Sequence, residues 1–213
     1  MNNRDTSEPW YTARLIRLGN KKWKIFFGTQ RPFKAPIINL RLGKTLEIGC
    51  GVGRILQWLP NSVGVDHNPK SVAAARARGL TVFTNEEFHL SEFAISKSFD
   101  SILMAHFLEH LTKDERNTIM SEFRKYLIPG GRLVIICPQE VGFRSDSTHI
   151  QYLDFNSIEK YGLSHDFVVE LAKSNPFPRF FGKLFKYNEF FVVLKSSEFT
   201  FNSNANVPIN EAI

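Results

Sequence analysis

An α/β fold built on a doubly wound, mostly parallel sheet is predicted by two observations. Short apolar segments that end in glycine or a carboxylate alternate with helix-length stretches, the βαβ order that a parallel sheet requires. The first of these segments, Lys44 to Ile48, runs into Gly49, Gly51 and Gly53, and glycine at a strand end accepts φ > 0 and lets backbone approach a ligand closely. A nucleotide-like ligand follows from that loop. A dinucleotide fingerprint would place its third glycine at position 54, where Arg54 stands, so the pyrophosphate reading is weakened.

The remaining elements follow in order. Arg54 to Leu59 reads as helix-like and stops at Pro60-Asn61, and Val63-Gly64-Val65 is a second strand closing on Asp66, seventeen positions after Gly49. A carboxylate there can accept two hydrogen bonds from a ribose diol. It can also cap the helix that Pro69 opens, although Asn68 is better placed for the cap. Leu80 to Phe83 reads as a third strand, followed by the polar Thr84-Asn85-Glu86-Glu87, and Phe99 to His106 as a fourth. Lys113 to Tyr126 is an amphipathic helix, with Ile119, Met120, Phe123 and Leu127 at helical spacing and Pro129-Gly130-Gly131 as its stop signal. Arg132 to Pro138 is an apolar fifth strand, suited to the centre of a parallel sheet.

Glu47 two residues before Gly49, Asp66, Phe99-Asp100, His106-Phe-Leu-Glu109-His110 and Leu127-x-Pro-Gly-Gly-x-Leu-x-Ile stand in this order over residues 44 to 138. The series resembles the motifs of the class I S-adenosylmethionine-dependent methyltransferases of small-molecule type. The resemblance implies a Rossmann-like methyltransferase fold with a seven-stranded sheet, whose last two strands form a hairpin with one strand antiparallel. It implies S-adenosylmethionine as methyl donor and S-adenosylhomocysteine as product. Cofactor contacts are then expected from Glu47, Gly49, Cys50, Gly51, Gly53 and Arg54, with Asp66 on the ribose beside His67. Asn85 or Glu86 is expected near the adenine, or as a cap of the next helix, and Met104, Ala105 and His106 on the methionine and substrate side. The spacing of His106 and Glu109 suggests metal ligands, but only one further His stands close and no cysteine pair is near, so no metal site is expected.

The acceptor side is expected in the polar run Pro138 to Tyr152, past the end of a central strand. His149 is a candidate general base, imidazole being the side chain suited to proton transfer near neutrality, and, with His106, a candidate catalytic residue. Arg144 would bind a substrate carboxylate or phosphate, and Tyr152 would orient a hydroxyl. The alternative is a surface loop in which Asp146 and Thr148 satisfy their own backbone. Farther on come a short helix from Asn156 to Tyr161, an apolar stretch from His165 to Leu171 and a strand from Glu189 to Leu194. Phe177, Phe180 and Phe181 wall the acceptor pocket or pack on the sheet, and packing is favoured.

With 213 residues and 43% apolar content the chain can bury a full core, and no apolar run reaches the length of a membrane span. No apolar signal-peptide core follows Met1, so a cytoplasmic protein is expected. Cys50 and Cys137 end different strands and offer no disulfide framework. Residues 1 to 44 carry ten Lys and Arg against Asp5 and Glu8, and the rest of the chain seventeen against nineteen acids, so the net +6 arises in the N-terminal segment. That segment, residues 1–43 with its interleaved aromatics, is expected to be a helical cover over the sheet. Residues 44–195 then form the cofactor-binding domain and residues 196–213 a flexible tail.

The expected activity is methyl transfer to a small-molecule or lipid-linked acceptor, with an anionic or membrane-linked one as the minority extension. Oxygen is the preferred acceptor atom, because Met104-Ala-His-Phe stands where amino-nitrogen methylators carry an Asn-Pro-Pro-Tyr type motif. Two alternatives remain: a non-catalytic S-adenosylmethionine-binding module, and a nucleic-acid-directed methyltransferase using the basic segment, against which stands the lack of a recognisable nucleic-acid module.

Overall fold

The computed structural model describes residues 31–197. Most of the expected N-terminal cover, residues 1–30, and the tail from residue 198 lie outside the described residues. The strands are β1 (Thr45–Ile48), β2 (Val63–Val65), β3 (Val82–Phe83), β4 (Phe99–Ala105), β5 (Leu127–Pro138), β6 (Phe167–Asn175) and β7 (Glu189–Ser196). They form one seven-stranded sheet in the order β3-β2-β1-β4-β5-β7-β6. The pairs from β3 through β5 are parallel, and β7 runs antiparallel between β5 and β6, as the resemblance implied. The helices are α1 (Arg31–Asn39), α2 (Pro69–Arg76), α3 (Asn85–His89), α4 (Lys113–Phe123), α5 (Glu140–Arg144) and α6 (Phe155–Leu163).

Two-residue alternation in the central strands divides the core. Ile102 and Met104 of β4 pack on one face with Phe88, Met120, Phe123 and Ile158 from α3, α4 and α6. Leu103 and Ala105 point to the other, where Ile37 of α1, Leu42 and Leu59 cover Val134 and Ile136 of β5. Both faces of the central strands are therefore buried, which is why residues 102–105 of β4 and 133–138 of β5 are continuous apolar runs. Truncating a fully buried ring such as Phe123 to Ala costs about 3–5 kcal/mol. Helix α1 is the described part of the expected cover, tied down by the Asn175 side-chain amide, which donates to the Pro32 carbonyl at 3.2 Å.

Several boundaries differ from expectation. The expected helix from Arg54 to Leu59 is a series of turns ending in one 3₁₀ turn, Leu56–Trp58, because the link from Gly53 to Val63 is short and Pro60 closes it. The polar run after β3 caps its helix through Thr84, whose hydroxyl accepts from the Glu87 N–H while the Glu87 carboxylate accepts from the Thr84 N–H. Asn85 and Glu86 therefore sit inside α3 and do not cap it. Pro129-Gly130-Gly131, read as a helix stop, already belongs to β5, with a register irregularity opposite Phe99 and Ser101. Ser196 and Ser197, expected in the tail, belong to the fold: Ser196 pairs with Phe167, and the Ser197 N–H donates to the Asp166 carbonyl.

Candidate active site

The loop after β1 is shaped by three left-handed glycines, Gly49 at φ +72°, Gly51 at +54° and Gly53 at +73°. A Cβ on Gly49 would fall 2.2 Å from the Phe107 ring, so that position has neither the torsion nor the room for a side chain. At the end of β2 the Asp66 carboxylate closes on this loop, accepting the Gly51 N–H at 2.7 Å on Oδ2 and the Asn68 N–H at 2.9 Å on Oδ1. A carboxylate has about four lone-pair positions, so two directions remain for a diol. Asn68 caps α2, its side-chain oxygen accepting from Lys70 and Ser71. His67 is exposed with Nδ1 3.8 Å from Asp66, Arg54 is exposed on the loop rim, and Asn85 is half-buried while Glu86 is exposed at the start of α3.

Under the loop lies Glu47, only 3% exposed, with Oε2 lacking a hydrogen-bond partner. Burial pushes its pKa up to about 8 against the opposing Leu56 N–H; Asp66 adds to the rise and His106 opposes it. Burial also raises the Cys50 thiol, which removes it as a nucleophile at neutral pH.

Where β4 ends, His106 takes a left-handed φ of +54°, a conformation costing about 1–3 kcal/mol that persists where the surroundings fix it. Its Nε2 is 3.0 Å from Glu189 Oε1 and its Nδ1 3.6 Å from Glu109 Oε1. Burial opposes charge on this ring, yet Glu189 and Glu109 together raise its pKa above the ordinary value. With 45% of the side chain open, solvent screens both pairs. Met104, expected to line the methionine side, is fully buried in the core beside Ile102. The strand's alternation turns its side chain into that core, so only its backbone is open to contribute at the strand end. Ala105 is 7% exposed and packs into the opposite core.

The polar run after β5 folds into α5 and a tight loop in which Asp146 Oδ1 accepts from both the N–H and hydroxyl of Thr148. The Ile150 and Gln151 N–H groups donate to the Glu109 carbonyl at 2.9 and 3.1 Å, which draws His149 inward until Nε2 lies 3.9 Å from Glu109 Oε1, with 9% of its side chain exposed. His149 thus faces Glu109 and not open solvent. Metal ligation was discounted because only one further His stood near in sequence; folding brings in His149, and Glu109, His110 and His149 offer ligand atoms all within 4.8 Å of one another. Tyr152 packs edge-on against Phe143, and its hydroxyl accepts from Arg179 at 3.4 Å. Arg144 is exposed at the end of α5 and makes no ion pair among the described residues. The cation at this wall is Arg179, bidentate with Glu140 at 2.9 and 2.6 Å. Phe177 and Phe180, expected to pack on the sheet, are 44% and 61% exposed and meet the Phe181 ring at a tilt.

Glu189, Glu140 and Arg179, which the fold brings to this end of the sheet, were not singled out in the sequence, and Glu109 was weighed there only as a metal ligand and set aside. Glu189 carried a legible signal, an acid heading an apolar strand; antiparallel pairing sets it opposite Pro138 at the carboxyl end of β5, where parallel sheets build their sites.

A seven-stranded sheet in this order, with a glycine loop after β1 closed by a carboxylate after β2, is the Rossmann-like fold of methyltransferases. Residues 46–135 match the family described as a methyltransferase domain. An uncharacterized methyltransferase of Bacillus cereus is 24% identical over 117 residues, covering 53% of this chain and 55% of that protein. The methyltransferase GfsG of Streptomyces halstedii is 32% identical over 103 residues, covering 43% of this chain and 36% of its own. This chain therefore spans about half the length of the Bacillus relative. Among solved structures, a SAM-dependent methyltransferase from Archaeoglobus fulgidus aligns with a TM-score of 0.60 at 20% identity, covering 81% of this chain and 94% of that one. Magnesium protoporphyrin IX methyltransferase (ChlM) from Synechocystis, with bound SAH, aligns at 0.57 with 16% identity, covering 85% of each. No described helix is long and apolar enough to cross a membrane.

Proposed function

We propose that the protein transfers the methyl group of S-adenosylmethionine to an oxygen of a small-molecule or lipid-linked acceptor, releasing S-adenosylhomocysteine. The observation that carries this reading is the pairing of Asp66 with the Gly51 N–H, which holds the glycine loop in register with a carboxylate able to take a ribose diol. The cofactor would lie between that carboxylate and His106, with Asn85 or Glu86 at its adenine end. Methyl transfer from a sulfonium needs in-line alignment and exclusion of water more than strong acid–base chemistry, and alignment can supply about 7–11 kcal/mol of the barrier. His106, held cationic by its two carboxylates, suits the positioning of an acceptor oxygen better than proton removal. Tyr152 and Arg179 form the polar edge of the acceptor side. The basic excess of the N-terminal segment favours an anionic or membrane-linked acceptor.

The test is a panel of phenol, sugar, quinone and lipid acceptors incubated with the cofactor, read as S-adenosylhomocysteine release by mass spectrometry. A hydroxyl acceptor turned over by the wild type and not by Gly51→Val is the expected result. Tight cofactor binding with no release across the panel would leave a non-catalytic binding module as the better account.

A further inference from the structure

We propose that Glu109, His110 and His149 form a binding site for one divalent transition-metal ion at the carboxyl end of β4. The Glu109 side chain is fully buried, and neither of its oxygens meets a hydrogen-bond donor among the described residues. A buried carboxylate without donors is costly unless a cation compensates it. His106 is an incomplete answer, since it stands 3.6 Å from Glu109, beyond hydrogen-bond reach, and makes its closer contact with Glu189 at 3.0 Å.

The two other histidines are oriented as ligands are. The Nδ1 of His149 lies 2.8 Å from the Phe143 carbonyl and that of His110 lies 3.2 Å from the Thr148 carbonyl. A carbonyl accepts only, so each Nδ1 carries a proton and, in the neutral ring, each Nε2 keeps its lone pair for a metal. Ligating histidines are commonly fixed by such a carbonyl bond on the far ring nitrogen. The Nε2 lone pair of His149 faces Glu109 Oε1 at 3.9 Å, and lone pair against carboxylate is repulsive until a cation stands between them. Edge-on packing of the two rings, 4.8 Å between centroids, explains neither the carbonyl bonds nor the direction of that lone pair.

The three ligand atoms lie within 4.8 Å of one another, whereas bonds of about 2.0–2.1 Å to a tetrahedral ion set donors about 3.3 Å apart. Side-chain rotation closes that difference. Two imidazoles and one carboxylate favour zinc, cobalt or manganese over magnesium or calcium, which prefer all-oxygen shells. Three protein ligands leave a coordination position open, and its use by an acceptor oxygen rests on the methyl-transfer reading, whereas the site itself does not.

The experiment treats the full-length protein with chelator, then titrates Co²⁺ and Zn²⁺ by calorimetry and by visible absorption, with S-adenosylhomocysteine titrated in parallel. The expected result is one Co²⁺ per chain with a d–d spectrum that Zn²⁺ bleaches, and at least tenfold weaker binding in His149→Ala and in Glu109→Gln. Circular dichroism and S-adenosylhomocysteine affinity show whether each variant is folded; Glu109→Gln preserves shape if His149→Ala does not fold. Absence of stoichiometric binding, which would leave a proton on His149 as the compensating charge, overturns the site, as does binding that both folded variants retain. Metal binding without S-adenosylhomocysteine binding would instead count against the cofactor reading.

Discussion

The Asp66 carboxylate accepts the Gly51 N–H at 2.7 Å and the Asn68 N–H at 2.9 Å, so it organises the loop besides its proposed role on the ribose. Hydrogen bonds to a charged group are worth about 1.5–3 kcal/mol, and Asp66→Ala is expected to weaken S-adenosylhomocysteine binding roughly ten- to a hundredfold, with Asp66→Asn losing less. Unchanged affinity by calorimetry would count against the ribose role. Glu47 gives a pH signature. Its folded pKa of about 8 stands above the ordinary carboxyl value of 4.5, so the folded state holds more protons than the unfolded state between those values. Stability is therefore lost as pH rises through that window toward about 8. Glu47→Gln, which cannot ionise, is expected to flatten the slope, gaining a few kcal/mol over wild type at pH 9 relative to pH 5. Urea unfolding of the cofactor-free protein at three pH values measures it, and parallel pH slopes would refute the shift. Both residues were legible in sequence because each has a fixed distance from the glycines. Arg179 and Glu189 were not, since their neighbours come from chain segments far apart: Glu140 meets Arg179 and His106 meets Glu189 only after the β6–β7 hairpin folds back.

Elements whose signals are local were read well. Asn68 before Pro69 marked the start of α2, and its side chain accepts from Lys70 and Ser71; in α4, the Thr112 hydroxyl accepts from the Glu115 N–H while the Glu115 carboxylate takes the Thr112 N–H. Asn68→Ala and Thr112→Ala are each expected to destabilise the fold by about 1 kcal/mol, seen as a lower Tm in thermal melts, and an unshifted Tm would mean the cap contributes nothing. Elements set by tertiary pairing were read poorly. Strand β6 is exposed over most of its length, Val168 through Leu171 included, so neither two-residue alternation nor a buried run announced it. Its strand character comes from antiparallel pairing to β7 along the sheet edge. The start of β5 was hidden for a related reason: Pro129-Gly130-Gly131 has the local chemistry of a helix stop, and only the neighbouring Phe99 of β4 makes Leu127 part of the sheet.

Across the whole molecule the charges are segregated, with ten Lys and Arg against two acids up to residue 44 and a slight acid excess beyond it. A basic segment rich in Trp and Phe would suit the proposed methyl transfer to an acceptor presented at an anionic lipid surface, because such a surface attracts cationic and aromatic side chains. Each Lys near that surface contributes about 1 kcal/mol, so reversing Lys21, Lys22 and Lys24 to Glu in the full chain is expected to weaken vesicle binding by at least a hundredfold. Co-sedimentation with vesicles containing phosphatidylserine at low salt measures the effect, and raising the salt should release the wild type as the Debye length shortens. Those lysines lie outside the proposed cofactor contacts, so S-adenosylhomocysteine affinity should survive the triple reversal. If instead the wild type ignores anionic vesicles but retains RNA or DNA in a steeply salt-dependent way, lost in the same variant, the basic segment serves a nucleic acid and the acceptor should be sought there.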